Sequence, residues 1–63
     1  MWVDGEEWLS VADVVARLPV KAATVWSWIR RGQVRSARSG RRVWVPVIDV
    51  VEREGRVHAG MLT

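Results

Sequence analysis

The stretch 23-ATVWSWIRRGQVRSARSGRR-42 places two tryptophans, six arginines and no acid in twenty positions. Trp26 and Trp28 stand two apart, so a helix sends them to different faces. Val25, Trp28, Ile29 and Gly32 fall at i, i+3, i+4 and i+7, the spacing of an apolar stripe that meets a core. Trp28 is therefore expected inside. Ser27 points away from that stripe, Ala23 and Arg30 lie close to the same outward direction, and Thr24, Trp26 and Arg31 sit on the shoulders. The outward face is small or hydroxylated near its start and cationic near its end. That profile suits a helix whose first turns approach base edges while its flanks meet phosphates. Trp26 has two readings: packing across the gap to the following segment, or contact with a deoxyribose or thymine methyl. The pattern predicts a helix over roughly Ala22–Arg31, started by a poor cap at Lys21 or Ala22 and stopped by Gly32.

Upstream, "WLSVADVVARL" predicts a preceding helix. Ser10 is a good N-cap and Asp13 stands three residues later, as in a capping box. Val11, Val14, Val15 and Leu18 repeat the i, i+3, i+4, i+7 stripe, with Leu9 as a staple before the cap, and Pro19 ends the helix. Two short helices joined by "LPVKAA" make a helix-turn-helix pattern.

Downstream the period changes. "QVRSA" and "RVWVP" read as two short strands joined through Arg38, Ser39, Gly40 and Arg41. Val43 and Val45 alternate with Arg42 and Trp44, so one pair is expected inward and the other outward, with Trp44 half-covered by Trp2 or Trp8. "VIDVVERE" predicts a third helix, with Val47, Val50 and Val51 apolar on one side, closed by Gly55. The fold class expected is α+β, a small winged helix-turn-helix in the order α-α-β-β-α with a two-stranded wing. Residues 1–7 read as a polar arm, 8–55 as the domain, and 56–63 as a loose tail.

Composition narrows the function. Sixty-three residues with no cysteine make one domain without disulfides or thiolate metal sites. The lone His58 cannot build a metal site by itself. No apolar run approaches the ~20 residues that span a bilayer, and the acidic start is unlike a signal peptide, so a cytoplasmic setting is expected. Net charge is only +3, but it is segregated. Asp4, Glu6, Glu7 and Asp13 precede a block of eight bases running from Arg17 to Arg42, and Asp49, Glu52 and Glu54 follow it. A one-sign block of this kind is the footprint of a polyanion. Nine of the ten bases are arginine, which suits bidentate phosphate and guanine contacts. No carboxylate pair, nucleophile–base constellation or phosphate loop stands out, so neither catalysis nor a cofactor or small-molecule ligand is expected.

The order of these features resembles the small excisionase-type DNA-binding domains, relatives of the DNA-binding part of MerR-type regulators. The resemblance runs from Trp8 to Val51 and is carried by "LSVADVV", "TVWSWIRRGQV" and "GRRVWVP" followed by "VIDV". It implies double-stranded DNA as partner, the second helix in the major groove, and the hairpin as a wing on the backbone or in the minor groove. The expected contacts are Lys21, Ala23, Thr24, Trp26, Ser27, Arg30 and Arg31 from the helix. Arg35, Arg38, Ser39, Arg41 and Arg42 are expected from the wing. Pro19 stands where such domains often have glycine, and Trp26 and Trp44 where they are often polar or basic. The roles open to such a chain are a recombination directionality factor or architectural protein acting beside an integrase, a small repressor, and an interaction module of a phage packaging or replication assembly. With no zipper or long C-terminal helix in view, a monomer that assembles beside neighbouring copies on DNA is expected.

Overall fold

The computed structural model describes the backbone of residues 1–62 and the side chains of residues 1–55. Seven elements follow in order: β1 (Trp2–Val3), β2 (Glu6–Ser10), α1 (Val11–Arg17), α2 (Ala22–Arg30), β3 (Ala37–Ser39), β4 (Arg42–Pro46) and α3 (Val47–Leu62). The strands form one sheet in the order β1-β2-β4-β3, with every neighbouring pair antiparallel. The order is thus β-β-α-α-β-β-α rather than α-α-β-β-α, because two strands precede the first helix.

The segment expected as a polar arm is a hairpin. Asp4 and Gly5 both take positive φ, 51° and 81°. Two left-handed central residues make the type I′ turn that Asp-Gly favours, and its twist matches that of the flanking strands. The turn returns the chain so that Trp2 faces Glu7 and Val3 faces Glu6. β2 then pairs with β4, Leu9 opposite Val45 and Ser10 opposite Trp44. This pairing spans the interval that holds both helices, and so closes the domain.

Ser10 ends β2 and caps α1 at once: its hydroxyl accepts the Asp13 backbone N–H at 3.2 Å. At the other end of α1, the Leu18 N–H donates to the Val14 carbonyl at 2.8 Å while Leu18 itself has left the helical region before Pro19. α2 starts at Lys21 without a side-chain cap. It finishes in a Schellman motif: Gly32 N–H donates to Ile29 O at 3.1 Å and Gln33 N–H to Trp28 O at 2.9 Å, with Gly32 at φ 70°. That turn delivers Val34 into the core.

The core is Leu9, Val11, Val14, Val25, Trp28, Val34, Val45 and Val50, with Val15, Leu18, Val20, Ile29, Val43 and Val47 packed around it. Trp28 is buried as its stripe requires.

Two further expectations are corrected. "QVRSA" is not a strand until Ala37. Val34 packs into the core, and the Arg35 backbone N–H is taken by the Asp49 carboxylate at 3.1 Å, so it is not available to a ladder. The third helix passes through Gly55 and its backbone is helical to Leu62, where a loose tail was expected from residue 56. Gly55 is not among the positive-φ glycines. A glycine inside a helix costs only ~1 kcal/mol without a left-handed cap to end it. The side chain of His58 lies outside the described ones.

Candidate nucleic-acid interface

α2 presents an exposed Ala23, Trp26 and Arg30, half-buried Thr24 and Ser27, and exposed Lys21 and Arg31 at its two ends. Trp26 is 40% exposed, so it packs partly and shows the rest of its ring to solvent. No acid stands in the first turn of α2, which leaves the partial positive charge of that helix end uncompensated.

The β3–β4 hairpin carries the second group of cations. Ser39 pairs with Arg42, leaving Gly40 and Arg41 as a two-residue turn. Arg38, Ser39, Arg41 and Arg42 are all exposed. Trp44 is half-buried on β4 and its indole N–H donates to the Ser39 carbonyl at 3.4 Å, tying the ring to the neighbouring strand.

The two groups meet at a groove of about 330 Å³ lined by Ser10, Val11, Ala12, Asp13, Trp26, Arg41, Arg42 and Val43. Trp26 of α2, the Arg41–Val43 part of the hairpin, and the first turn of α1 with its acid Asp13 thus share one lining. The contribution of α1 was not anticipated from the sequence. Its signal was present in the Ser10–Asp13 cap, which fixes where that first turn begins. Lys21, Arg30, Arg31, Arg38, Arg41 and Arg42 form no ion pair among the described residues.

Arg35 is different. It was expected in the wing, but it lies outside β3 and is held elsewhere. Its guanidinium donates to Asp49 through Nε and Nη2, each at 3.1 Å, and to Glu6 Oε2 at 2.8 Å. It also stands 5.7 Å from the Trp8 ring centroid, within cation–π range. The clasp links β2, the loop after α2, and α3. Hydrogen bonding to Arg35 holds the Asp49 carboxyl below the usual carboxylate range, against the opposing effect of burial. The same bonds raise the Arg35 pKa further above its ordinary value. Trp8 Nε1 is buried beneath this cluster without a hydrogen-bond partner among the described residues.

A family model described as a helix-turn-helix domain matches residues 8–53. The chain belongs to the helix-turn-helix domain family. This family includes excisionase-like DNA-binding domains, and membership implies that the partner is DNA. The match covers α1, α2, the β3–β4 hairpin and the first part of α3, and it begins inside β2, so the β1 strand of this helix-turn-helix chain lies outside it. No curated protein and no solved structure gives a significant match. Among the described residues, no group of acids and histidines is arranged to hold a metal ion, and no helix is long and apolar enough to cross a membrane.

Proposed function

We propose that this helix-turn-helix protein binds double-stranded DNA sequence-specifically, with α2 in the major groove and the β3–β4 hairpin as a wing against the backbone or the minor groove. The observation that carries the reading is the groove where Trp26 of α2 meets Arg41 and Arg42 of the hairpin, beside Asp13, neither arginine having an ion-pair partner among the described residues. Ala23, Thr24 and Ser27 are small enough for close approach to base edges, and Arg30 is the base reader among the charged residues. Lys21, Arg31, Arg38, Ser39, Arg41 and Arg42 neutralise or hydrogen-bond phosphates. Trp26 meets a deoxyribose at the groove wall with the exposed part of its ring. Arg35 is left out of this set, since leaving Asp49 and Glu6 for a phosphate would exchange existing charge-assisted bonds for new ones at little net gain.

The biological role proposed is architectural: an excisionase-like recombination directionality factor that assembles on adjacent sites, the family being one that includes excisionase-like DNA-binding domains. A footprint on selected DNA, with sedimentation on and off that DNA, tests it. Directly repeated sites occupied by a chain that is monomeric off DNA are expected. A palindromic site filled by a preformed dimer would overturn the architectural role in favour of a small repressor.

A further inference from the structure

The sheet ends on two unlike edges. β3 carries Arg38 beside the Gly40–Arg41 turn, whereas β1, at the opposite end, carries Trp2 and Val3 beside Asp4. Trp2 is 69% exposed, an unusual setting for an indole. Met1 and Trp8 exchange backbone hydrogen bonds of 3.0 and 2.6 Å. Trp2, the next residue, therefore occupies the alternate position of an antiparallel ladder, and its N–H and C=O point away from β2 towards the open edge. Behind that edge lies a cavity of about 390 Å³ lined by Gly5, Glu6, Glu7, Val47 and Ile48. The cavity reaches the hairpin through its turn residue Gly5 and through Glu6 and Glu7, the cross-strand partners of Val3 and Trp2, which are not themselves in its lining. Ile48 and Val51, both exposed, extend the apolar surface along α3.

We propose that this edge docks an extended segment of a partner protein that alternates apolar and basic side chains, adding as a strand to β1 with its apolar groups on the Trp2 face of the sheet and its basic groups on the opposite, Val3 face. Charge selects the occupant. Of the acids on this hairpin, Asp4 and Glu7 form no ion pair among the described residues, and Glu6 is engaged by Arg35. A second copy related by a two-fold axis would set this acidic edge against itself, and like charges placed opposite destabilise a strand pair. Nucleic acid and anionic lipid are repelled for the same reason. A segment carrying lysine or arginine gains from both the charge and the apolar surface. The surface is at the far end of the sheet from β3 and its function does not depend on DNA contacts.

The test uses the full chain, ¹⁵N-labelled and free of DNA, titrated with an end-blocked hexapeptide alternating arginine and valine. A glutamate–valine hexapeptide and an arginine–valine hexapeptide N-methylated at alternate residues serve as comparisons. The arginine–valine peptide is expected to shift the amides of Trp2, Val3, Ile48 and Val51, and to bind at least about tenfold more tightly than either comparison peptide. Trp2→Ser with Ile48→Ser should weaken it by a similar factor while the melting temperature stays put, because both side chains are exposed; the N-methylated peptide tests the strand addition without any variant. Shifts confined to other surfaces, equal binding of the glutamate–valine peptide, or absence of binding would overturn the proposal. A free chain that sediments as a dimer and is dispersed by Trp2→Ser would assign the edge to a second copy instead.

Discussion

Arg35 and Arg38 stand three residues apart in one basic run, yet their surroundings give them opposite uses. Arg38 is exposed on β3 with no acid bonded to it, whereas Arg35 reaches Asp49, fourteen residues away in sequence, and Glu6, twenty-nine away. Sequence neighbours could not separate the two, since the acids that hold Arg35 arrive only when β2 and α3 pack beside the loop. The consequence for pH follows from Asp49, whose side chain is only 19% exposed. Its folded pKa lies below the ordinary 3.8, so the clasp's contribution is fully present above that ordinary value. It is lost as pH falls through the folded value. The urea midpoint should hold steady above about pH 5 and drop below about pH 4. In Asp49→Asn the midpoint should be lower at neutral pH and the acid-side drop shallower; an unchanged drop in that variant would place its origin elsewhere. The two arginines also separate function from stability. Arg30→Ala should weaken DNA binding by about 1–3 kcal/mol if Arg30 reads a base, with little change in melting. Arg35→Ala should do the reverse, lowering the melting temperature and leaving DNA affinity nearly intact. Titrating both variants with a selected duplex, after thermal melts, checks the pair.

At the scale of elements, α1 and α2 were legible because their signals are local and agree. A capping serine, two complete apolar stripes, Pro19 and Gly32 all point to the same boundaries, and the structure departs from them by a residue at most at the end of α2. The hairpin turn at Gly40–Arg41 was legible for the same reason. β1 and β2 were not, although "DG" between Val3 and Glu6 is a strong turn signal. The flanking residues hide it, since Asp4, Glu6 and Glu7 read as solvated polar chain. What makes Glu6–Ser10 a strand is its long-range pairing with β4. The turn can be tested directly. Gly5→Ala must hold an alanine at φ 81°, which should cost about 1 kcal/mol or more, while an exposed alanine substitution such as Lys21→Ala should change stability by less than about 0.5 kcal/mol. Equal melting of the two variants would contradict the I′ turn. Trp28 belongs to the same scale, because it joins α2 to the rest of the core. Trp28→Ala should cost about 3–5 kcal/mol, against a total stability of about 3–9 kcal/mol for a chain of this length. A largely unfolded variant is expected by circular dichroism, and a cooperatively folded one would refute the burial.

Across the whole molecule, charge is sorted by the sheet. Acids gather on the β1–β2 hairpin and along α3, with Asp13 on α1 and Arg53 among the α3 acids, while cations gather on α2 and the β3–β4 hairpin; the Arg35 cluster clasps the two signs together. Net charge is a poor guide here, because +3 averages two fields that a partner meets separately. A duplex approaching the α2 and hairpin side encounters Lys21, Arg30, Arg31, Arg38, Arg41 and Arg42, six cations with no ion-pair partner to leave among the described residues. Each phosphate they neutralise releases counterions, so log affinity should fall against log salt with a slope of about −4 to −6. Had the net charge governed, the slope would be about −3. The hairpin's share is separable from that of α2. In Arg38→Ala with Arg41→Ala the slope should become shallower by about 2, while the preferred sequence stays the same if the wing docks on the backbone rather than reading base edges. Affinities for one selected duplex and one scrambled duplex, measured over a salt series for the wild type and the double variant, decide the matter. A slope unchanged by the double variant would remove the hairpin from the interface; a changed sequence preference with an unchanged slope would make it a reader of bases.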